Sequence, residues 1–334
     1  MPRCNSLRLV SRSLIDFVIC RLDFIKWTAD RAALLEAVKR VDLIHFNHEN
    51  LFVIAGWLRR LHDKPQTMHI RSLPYENWFA RWHFRQIEQS VDHSIYISEN
   101  EYNEVERLLG HQPRGSVIYN IVPEPDAVAP HESVPKDHRL KVATLSNFDL
   151  TRGTDRLLEI AERIARRGRR DILFVVAGDM TMRGALPPDL SSGDRNFSAQ
   201  IKARGLADMF LFLGHVRVPE RVLAACDVLI KPTRQDNPWG RDILEALSRG
   251  MPVISIGKYD RFVQSDVTGF LLDTYDADNV VDIILRLDSD RDLLTRLGKA
   301  GKQRISVLCN GKDRANDLLE VWRKAIFDRQ RLDT

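Results

Sequence analysis

Two short stretches of this sequence carry side chains whose types and spacing suit the binding of a phosphorylated ligand. In LSNFDLTRGTD (145–155) an apolar run gives way to Arg152-Gly153 and then to a helical pattern. Glycine lets a backbone come close to a bound group, a helix N-terminus favours an anion, and Arg152 adds a full positive charge. Alone, this spacing is common, and a surface arginine beside a turn glycine reads the same way. The stretch KPTRQDNPWGRDILEALSRGMPVIS (231–255) is more specific. Its loop runs to Gly240, a helix begins near Arg241, and Glu245 follows in the first turns, flanked by Leu244, Ala246 and Leu247. A carboxylate in such apolar surroundings needs a partner. Ribose hydroxyls would donate two hydrogen bonds to it, and the amides near Gly240 and Arg241 would hold phosphate oxygens.

Such residues need a scaffold that gathers separate strand ends. KVATLSNF (141–148), DILFVVAGD (171–179), MFLFLGHV (209–216), VLIKPT (228–233), MPVISIG (251–257) and GFLLD (269–273) read as strands. Between them, TDRLLEIAERIARRG (154–168) is an amphipathic helix with Leu157, Ile160, Ala161 and Ile164 on one face. VPERVLAACD (218–227), RDILEALSRG (241–250) and ADNVVDIILRLDSD (277–290) are further helices, Gly250 being a C-terminal stop. Continuous apolar strands alternating with helices predict an open parallel sheet covered on both faces, a doubly wound α/β domain that binds ligands at the carboxyl ends of its strands.

The first half repeats the theme. DLIHFNHE (42–49), PQTMHIRS (65–72), SVDHSIYIS (90–98) and GSVIYN (115–120) read as strands. AALLEAVKRV (32–41), LFVIAGWLRRLHD (51–63), NWFARWHFRQIEQS (77–90) and NEYNEVERLLG (100–110) read as the helices around them. Four prolines in 121–138 and the absence of apolar periodicity mark a linker. The expected organisation is an N-terminal domain over 1–122, a linker over 123–138, a ligand-binding domain over 139–310, and a helix over 311–334 that crosses back to the first domain.

The 334 residues exceed what one core usually serves, which agrees with two domains. Composition is 44% hydrophobic and 29% charged, with a net charge of +4. That balance fits an anionic small ligand and lacks the clustered basic stripe of a nucleic-acid binder. Cys4, Cys20, Cys226 and Cys309 form no C-x-x-C pair, so neither a zinc site nor a disulfide framework is expected and the cytoplasm is the expected compartment. No run of 18 apolar residues predicts a membrane span. Arg12, Asp16 and Arg21 interrupt the apolar opening, which argues against a signal peptide. The basic opening (Arg8, Arg12, Arg21) suits peripheral contact with the inner face of a membrane. No G-x-G-x-x-G follows a strand, which disfavours a simple dehydrogenase.

On these residues the sequence resembles the retaining nucleotide-sugar glycosyltransferases of family 4, which have the GT-B fold of two Rossmann-like doubly wound domains. Their hallmark is two glutamates eight positions apart before a G-x-P-V-I strand. Here the sequence is N-P-W-G-R-D-I-L-E-A-L-S-R-G-M-P-V-I (237–254). The resemblance places Glu245 on the donor ribose and gives the first glutamate position to Asn237, with Asp236 beside it. The family's Lys-Gly pair, whose cation meets the diphosphate, corresponds to Arg152-Gly153, and its companion arginine to Asn147. A-G-D (177–179), F-L-G (212–214), A-A-C-D-V-L-I-K-P-T (224–233) and V-T-G-F-L-L (267–272) fall in the family's order. The resemblance is strong over 140–275 and weak over 42–120.

It implies transfer, with retention, from a UDP- or GDP-sugar to a glycan or lipid-linked acceptor, in surface polysaccharide synthesis and with no metal or other cofactor. Asn237 can bond a sugar hydroxyl but carries no charge. With Asn147 uncharged, Arg152 bears more of the diphosphate, and Lys231, Arg234 and Arg241 are candidates to share it. Two alternatives stay open: a catalytically impaired nucleotide-sugar-binding relative, and a sugar-nucleotide epimerase of the same architecture, against which Asn237 argues.

Family members usually open with a strand and a Gly-rich loop, and this chain opens with neither, so the N-terminal domain reads as abbreviated. The family's active-site histidine falls at Arg71, with His69 two residues earlier on the same strand face. Asn237, His69 and Arg71 are therefore the catalytic candidates. A packed strand histidine is an equal reading for His69 and the favoured one for His45 and His48. Trp78, Phe79, Trp82 and Phe84 lie on one helix, where core packing is the common reason for aromatics at this spacing and contact with a lipid the other.

Overall fold

The computed structural model describes residues 31–74, 76–123, 125, 127–182, 186–191, 194–235, 237 and 239–332. The basic opening with Arg8, Arg12 and Arg21, the stretch on which the expectation of an abbreviated first domain rests, Cys4, Cys20 and Asp236 lie outside the described residues. The chain divides into two compact units, 1–121 with 311–334, and 122–310.

The first unit contains α1 (Arg31–Lys39), β1 (Ile44–Phe46), α2 (Phe52–Arg59), β2 (Gln66–Ile70), α3 (Trp78–Ser90), β3 (His93–Tyr96), α4 (Glu99–Leu109) and β4 (Gly115–Val117). Its four strands are parallel and lie in the order β1-β2-β3-β4. Asn77 caps α3 by accepting the Ala80 amide at 2.8 Å, and Ser98 caps α4. Gly110, at φ 82°, ends α4 in the left-handed conformation that glycine adopts without strain. Alternation along β2 sends Met68 and Ile70 into a core with Phe46, Leu58, Phe84 and Ile87, while Thr67 and His69 take the other face. The C-terminal helix, Gly311–Leu332, belongs to this unit. Its Trp322 ring lies 5.4 Å from that of His45, and Arg329 Nη2 donates to Asp63 Oδ1 at 2.9 Å.

The second unit contains β5 (Leu140–Leu145), α5 (Arg156–Arg166), β6 (Ile172–Ala177), α6 (Pro188–Ser191), α7 (Phe197–Ala203), β7 (Phe210–Gly214), α8 (Pro219–Leu223), β8 (Val228–Lys231), α9 (Arg241–Ser248), β9 (Val253–Ile256), β10 (Gly269–Leu272), α10 (Ala277–Ser289) and α11 (Arg291–Leu308). All six strands are parallel, in the order β7-β6-β5-β8-β9-β10. The chain builds outward from β5 through β6 to β7, returns to the far side of β5 with β8, and builds outward again. This reversal between β5 and β8 is the topological switch point at which doubly wound sheets open a ligand crevice. Every residue of β6 is buried, as its unbroken apolar run requires. Leu157, Ile160 and Ile164 of α5 are fully buried, each contributing about 1.5–3 kcal/mol by leaving water.

Sequence periodicity did not reveal α11. Leu293, Leu297 and Ile305 supply its buried face, but Gly298 and Gly301 interrupt the pattern. The structure gives Gly298 a packing reason: a Cβ there would stand 1.9 Å from the Gly250 carbonyl oxygen. The end of the proline-rich stretch packs on the second unit. Val134 is buried with Leu173, Val175 and Val222, and the His131 amide donates to Arg221 O at 2.8 Å. Among the described residues no helix is long and apolar enough to cross a membrane.

Candidate functional site

A cleft of about 540 Å³ opens in the second unit at the carboxyl ends of β5, β6 and β7, beside the start of α9. Asn147, Arg152, Gly178, Arg217, Arg241 and Glu245 are among the residues that line it. Two sequence segments far apart in the chain thus deliver Arg152 and Glu245 to one place.

The loops that do this are locked by main-chain contacts. After β5 the chain makes a single 3-10 turn, Leu150–Arg152, which Asp149 caps by accepting the Thr151 amide at 2.7 Å. Gly153 then takes φ 74°, and a Cβ on it would fall 1.7 Å from the Pro232 carbonyl oxygen. The loop after β5 therefore runs directly against the loop after β8. Arg156 ties the two together by donating Nη1 to the carbonyls of Pro232 and Thr233, at 3.0 and 2.9 Å. Gly178 plays the same part on the other flank, where a Cβ would stand 2.2 Å from Ser146 O. The Asn147 side chain braces this flank as well, its Oδ1 accepting the Asp179 amide at 2.8 Å.

Glu245 is nearly enclosed, and Arg241 Nε donates to its Oε1 at 2.5 Å. Burial raises the Glu245 pKa above the usual carboxylate value, Arg241 works against that shift, and Glu220 and Asp242 add to it. Arg241 itself is 80% exposed. Its guanidinium can therefore turn to an anion in the cleft. Arg152 reaches Ser146 Oγ through Nη1 at 3.3 Å.

The remaining expected residues stand outside the cleft lining. Lys231 Nζ lies 3.1 Å from Asp242 Oδ1, and a Cβ on Gly240 would meet that ammonium at 2.0 Å, so Lys231 is tucked against the start of α9. Arg234 forms a two-pronged pair with Asp155, at 2.7 and 2.6 Å, and donates to Leu150 O. It clamps the two loops together. Asn237 accepts from Thr233 Oγ1 at 3.1 Å and donates to Gln235 Oε1 at 3.2 Å, within its own loop. The structure thus gathers Asn147, Arg152, Arg241 and Glu245, while Gly153, Lys231, Arg234, Asn237 and Gly240 shape the surrounding loops.

Sequence reasoning missed Ser146, Gly178, His215, Arg217 and Glu220, all of which line the cleft. The available signal was position: Gly178 follows the end of β6 and His215 follows the end of β7, where an open α/β sheet keeps its ligands. Asp-x-Asp triplets at 276–278, 288–290 and 290–292 play a different part. Asp276 and Asp290 cap α10 and α11, Asp278 pairs with Arg163, Asp288 pairs with Arg169 and Arg291, and Asp292 lies in the first turn of α11. None of the five lines the cleft.

In the first unit His69 and His45 form a bonded pair. His45 Nε2 lies 2.8 Å from His69 Nδ1, and His45 Nδ1 lies 2.8 Å from Thr67 Oγ1. Burial, with the Arg71 charge adding to it, holds His45 down at about 4, and burial, with His45 and then Arg71 adding to it, holds His69 down at about 3. Two neutral rings suit the contact, because one nitrogen must donate and the other accept. Arg71 stands just past the end of β2. Its amide donates to Glu49 Oε2 at 2.9 Å and its Nη2 to Asn47 Oδ1 at 2.6 Å. The Arg71 Nε is buried with no hydrogen-bond partner among the described residues.

Comparison with known proteins gives the family and the fold. The family described as glycosyl transferases group 1 matches residues 129–304, and glycosyltransferase family 4 matches residues 6–124. No curated protein matches the chain. Among solved structures, Anabaena HepE in complex with UDP is 19% identical over 88% of this chain and 81% of its own, with a TM-score of 0.74. Sucrose-phosphate synthase from Thermosynechococcus elongatus is 19% identical over 88% and 76%, with a TM-score of 0.70. The lipopolysaccharide outer core galactosyltransferase WaaB is 16% identical over 92% and 82%, with a TM-score of 0.64. At these identities the likeness is one of fold, and that fold is GT-B. The match over 129–304 covers more than half of the sequence, and the chain therefore belongs to the glycosyl transferases group 1 and is a glycosyltransferase of the GT-B type.

Proposed function

We propose that the chain transfers a sugar, with retention of configuration, from a UDP- or GDP-sugar to a glycan or lipid-linked acceptor in surface polysaccharide synthesis. The observation that carries this reading is the convergence of Arg152 and Glu245 on one cleft at the switch point of the second unit. HepE, a structural neighbour, is known in complexes with UDP and UDP-glucose, which favours a uridine nucleotide.

In this reading the Glu245 carboxylate accepts hydrogen bonds from the donor ribose. The diphosphate lies against Arg152, Arg241 and the amides that open α9. As the glycosidic bond breaks, negative charge grows on the departing diphosphate, and preorganised cations and amides stabilise that charge most where water is excluded. These groups stand in for a metal, and no further cofactor is invoked. Asn237, held by Thr233 and Gln235 outside the cleft lining, would have to turn from its loop to offer its amide to a sugar hydroxyl. On the acceptor side, neutral His69 exchanges hydrogen bonds with an acceptor hydroxyl, oriented by His45 behind it, and Arg71 adds a fixed positive charge. The setting is the cytoplasm, with peripheral contact at the inner membrane face.

Calorimetric titration with UDP and GDP tests the donor site. Glu245→Ala and Arg152→Ala should each weaken binding about tenfold or more, the loss expected for a hydrogen bond to a charged group. If both variants bind as the parent does, the donor assignment fails. Nucleotide binding without transfer to any glycan acceptor would leave a binding relative in place of an enzyme with this reaction.

A further inference from the structure

A second groove, of about 510 Å³, lies in the first unit along α3, and the donor reading makes no use of it. Trp78, Arg81, Trp82 and Arg85 line it from one helix. Their spacing is i, i+3, i+4 and i+7, which places two indoles and two guanidiniums on one stripe. Gln86 and Leu108 complete the wall and floor. Trp78 is 75% exposed, whereas Trp82 is fixed against Phe52 and Phe79, at centroid distances of 5.9 and 5.4 Å. Glu76 at the rim is engaged by Arg107 at 2.7 Å. Among the described residues the guanidiniums of Arg81 and Arg85 have neither a hydrogen-bond nor an ion-pair partner.

We propose that this groove is a subsite for a segment of an acidic glycan. The proposal rests on the reading of the acceptor as a glycan. A sugar ring offers an apolar C–H face that suits an exposed indole, hydroxyls that suit the Gln86 amide, and, in a uronate, a carboxylate that a guanidinium binds with two parallel hydrogen bonds. Two unpaired guanidiniums one turn apart complement successive negative charges along such a chain. A bilayer is a poorer occupant. The apolar side of α3 is turned inward, with Phe84 3% and Ile87 1% exposed, and an interfacial helix must turn that side to the lipid.

The test uses the full chain with hexagalacturonate as the acidic probe and maltohexaose as the neutral one, followed by tryptophan fluorescence and calorimetry. The parent should bind hexagalacturonate in a salt-sensitive manner and maltohexaose about tenfold more weakly. The double variant Arg81→Ala/Arg85→Ala should lose about tenfold or more in hexagalacturonate affinity, and Trp78→Ala should lose binding as well. All three positions are exposed, and unchanged UDP affinity in each variant would report an intact fold and donor cleft. The proposal is overturned if hexagalacturonate does not bind, or if the double variant binds it undiminished. It is equally overturned if the chain sediments with vesicles containing roughly 30% phosphatidylglycerol through these same residues while ignoring the oligosaccharide. Failure of the parent to bind UDP, with oligosaccharide binding intact, would count against the donor reading alone.

Discussion

Arg241 and Glu245 face each other across one turn of α9, Nε to Oε1 at 2.5 Å, on the rim of the cleft that Arg152 enters from the opposite loop. The pair makes Glu245 the residue where stability and binding pull in different directions.

Because burial raises the Glu245 pKa, the folded chain holds that proton more tightly than the unfolded chain does. The stability this provides is complete below the usual carboxylate range and is lost as pH rises through the folded value, so at neutral pH the ionised group is a cost. Glu245→Gln removes that cost. It should melt at or above the parent temperature at pH 7 while binding UDP about tenfold or more weakly. Nucleotide affinity of the parent should also fall with pH earlier than an ordinary glutamate would dictate. Parallel thermal melts and titrations from pH 7 to pH 4 would show both trends, and a variant that binds UDP as tightly as the parent refutes the ribose contact.

Gly153→Ala should be among the most damaging small substitutions in the second unit. The left-handed backbone alone costs about 1–3 kcal/mol for a residue with a side chain. The methyl would also overlap the Pro232 carbonyl, at 1.7 Å, and push the loops after β5 and β8 apart. Denaturant unfolding should report the destabilisation, and UDP binding should be lost with it. A variant as stable as the parent would contradict the loop contact.

Arg152 and Arg234 provide a matched comparison, since both are arginines beside the same loops. Arg234→Ala removes the clamp on Asp155, a partly exposed pair, and should cost roughly 1 kcal/mol or less with UDP affinity unchanged. Arg152→Ala should show the reverse, a loss of about tenfold or more in UDP affinity with little change in melting temperature. Equal effects on binding would place both cations on the diphosphate.

The histidine pair predicts a pH response of stability. In the unfolded chain His45 and His69 titrate near 6.5, and in the fold they are held down at about 4 and about 3. Below about pH 6.5 the unfolded state takes up protons that the folded state refuses, so stability should fall as pH drops from 6.5 toward 4. Imidazole proton resonances of these two residues should stay flat from pH 8 to pH 5.5. A midpoint near 6.5 for His69 would refute the buried neutral pair.

The second unit was readable because its signals are local. Six apolar runs alternating with helices needed no knowledge of partners, and Arg152 and Glu245 each sat where a strand end meets a helix start. What the sequence withheld was everything decided by contact between distant segments. Gly298 reads as a helix breaker until Gly250 is placed against it. Lys231 and Arg234 read as phosphate ligands until Asp242 and Asp155 are placed beside them. His45 bonds His69 across neighbouring strands, a pairing that depends on the register of β1 against β2. Arg217 and Glu220 join the cleft because the order of the strands puts the end of β7 near that of β5, and strand order is not written in any single segment.

The glycine positions 153 and 178 seat polypeptide on polypeptide, with no side chain between the cleft's neighbouring loops. A foundation of that sort is indifferent to mutation at the rim. Lining residues such as His215 and Arg217 can then be exchanged while the platform beneath keeps its shape. Engineering of the cleft should therefore begin at such positions and leave both glycines untouched.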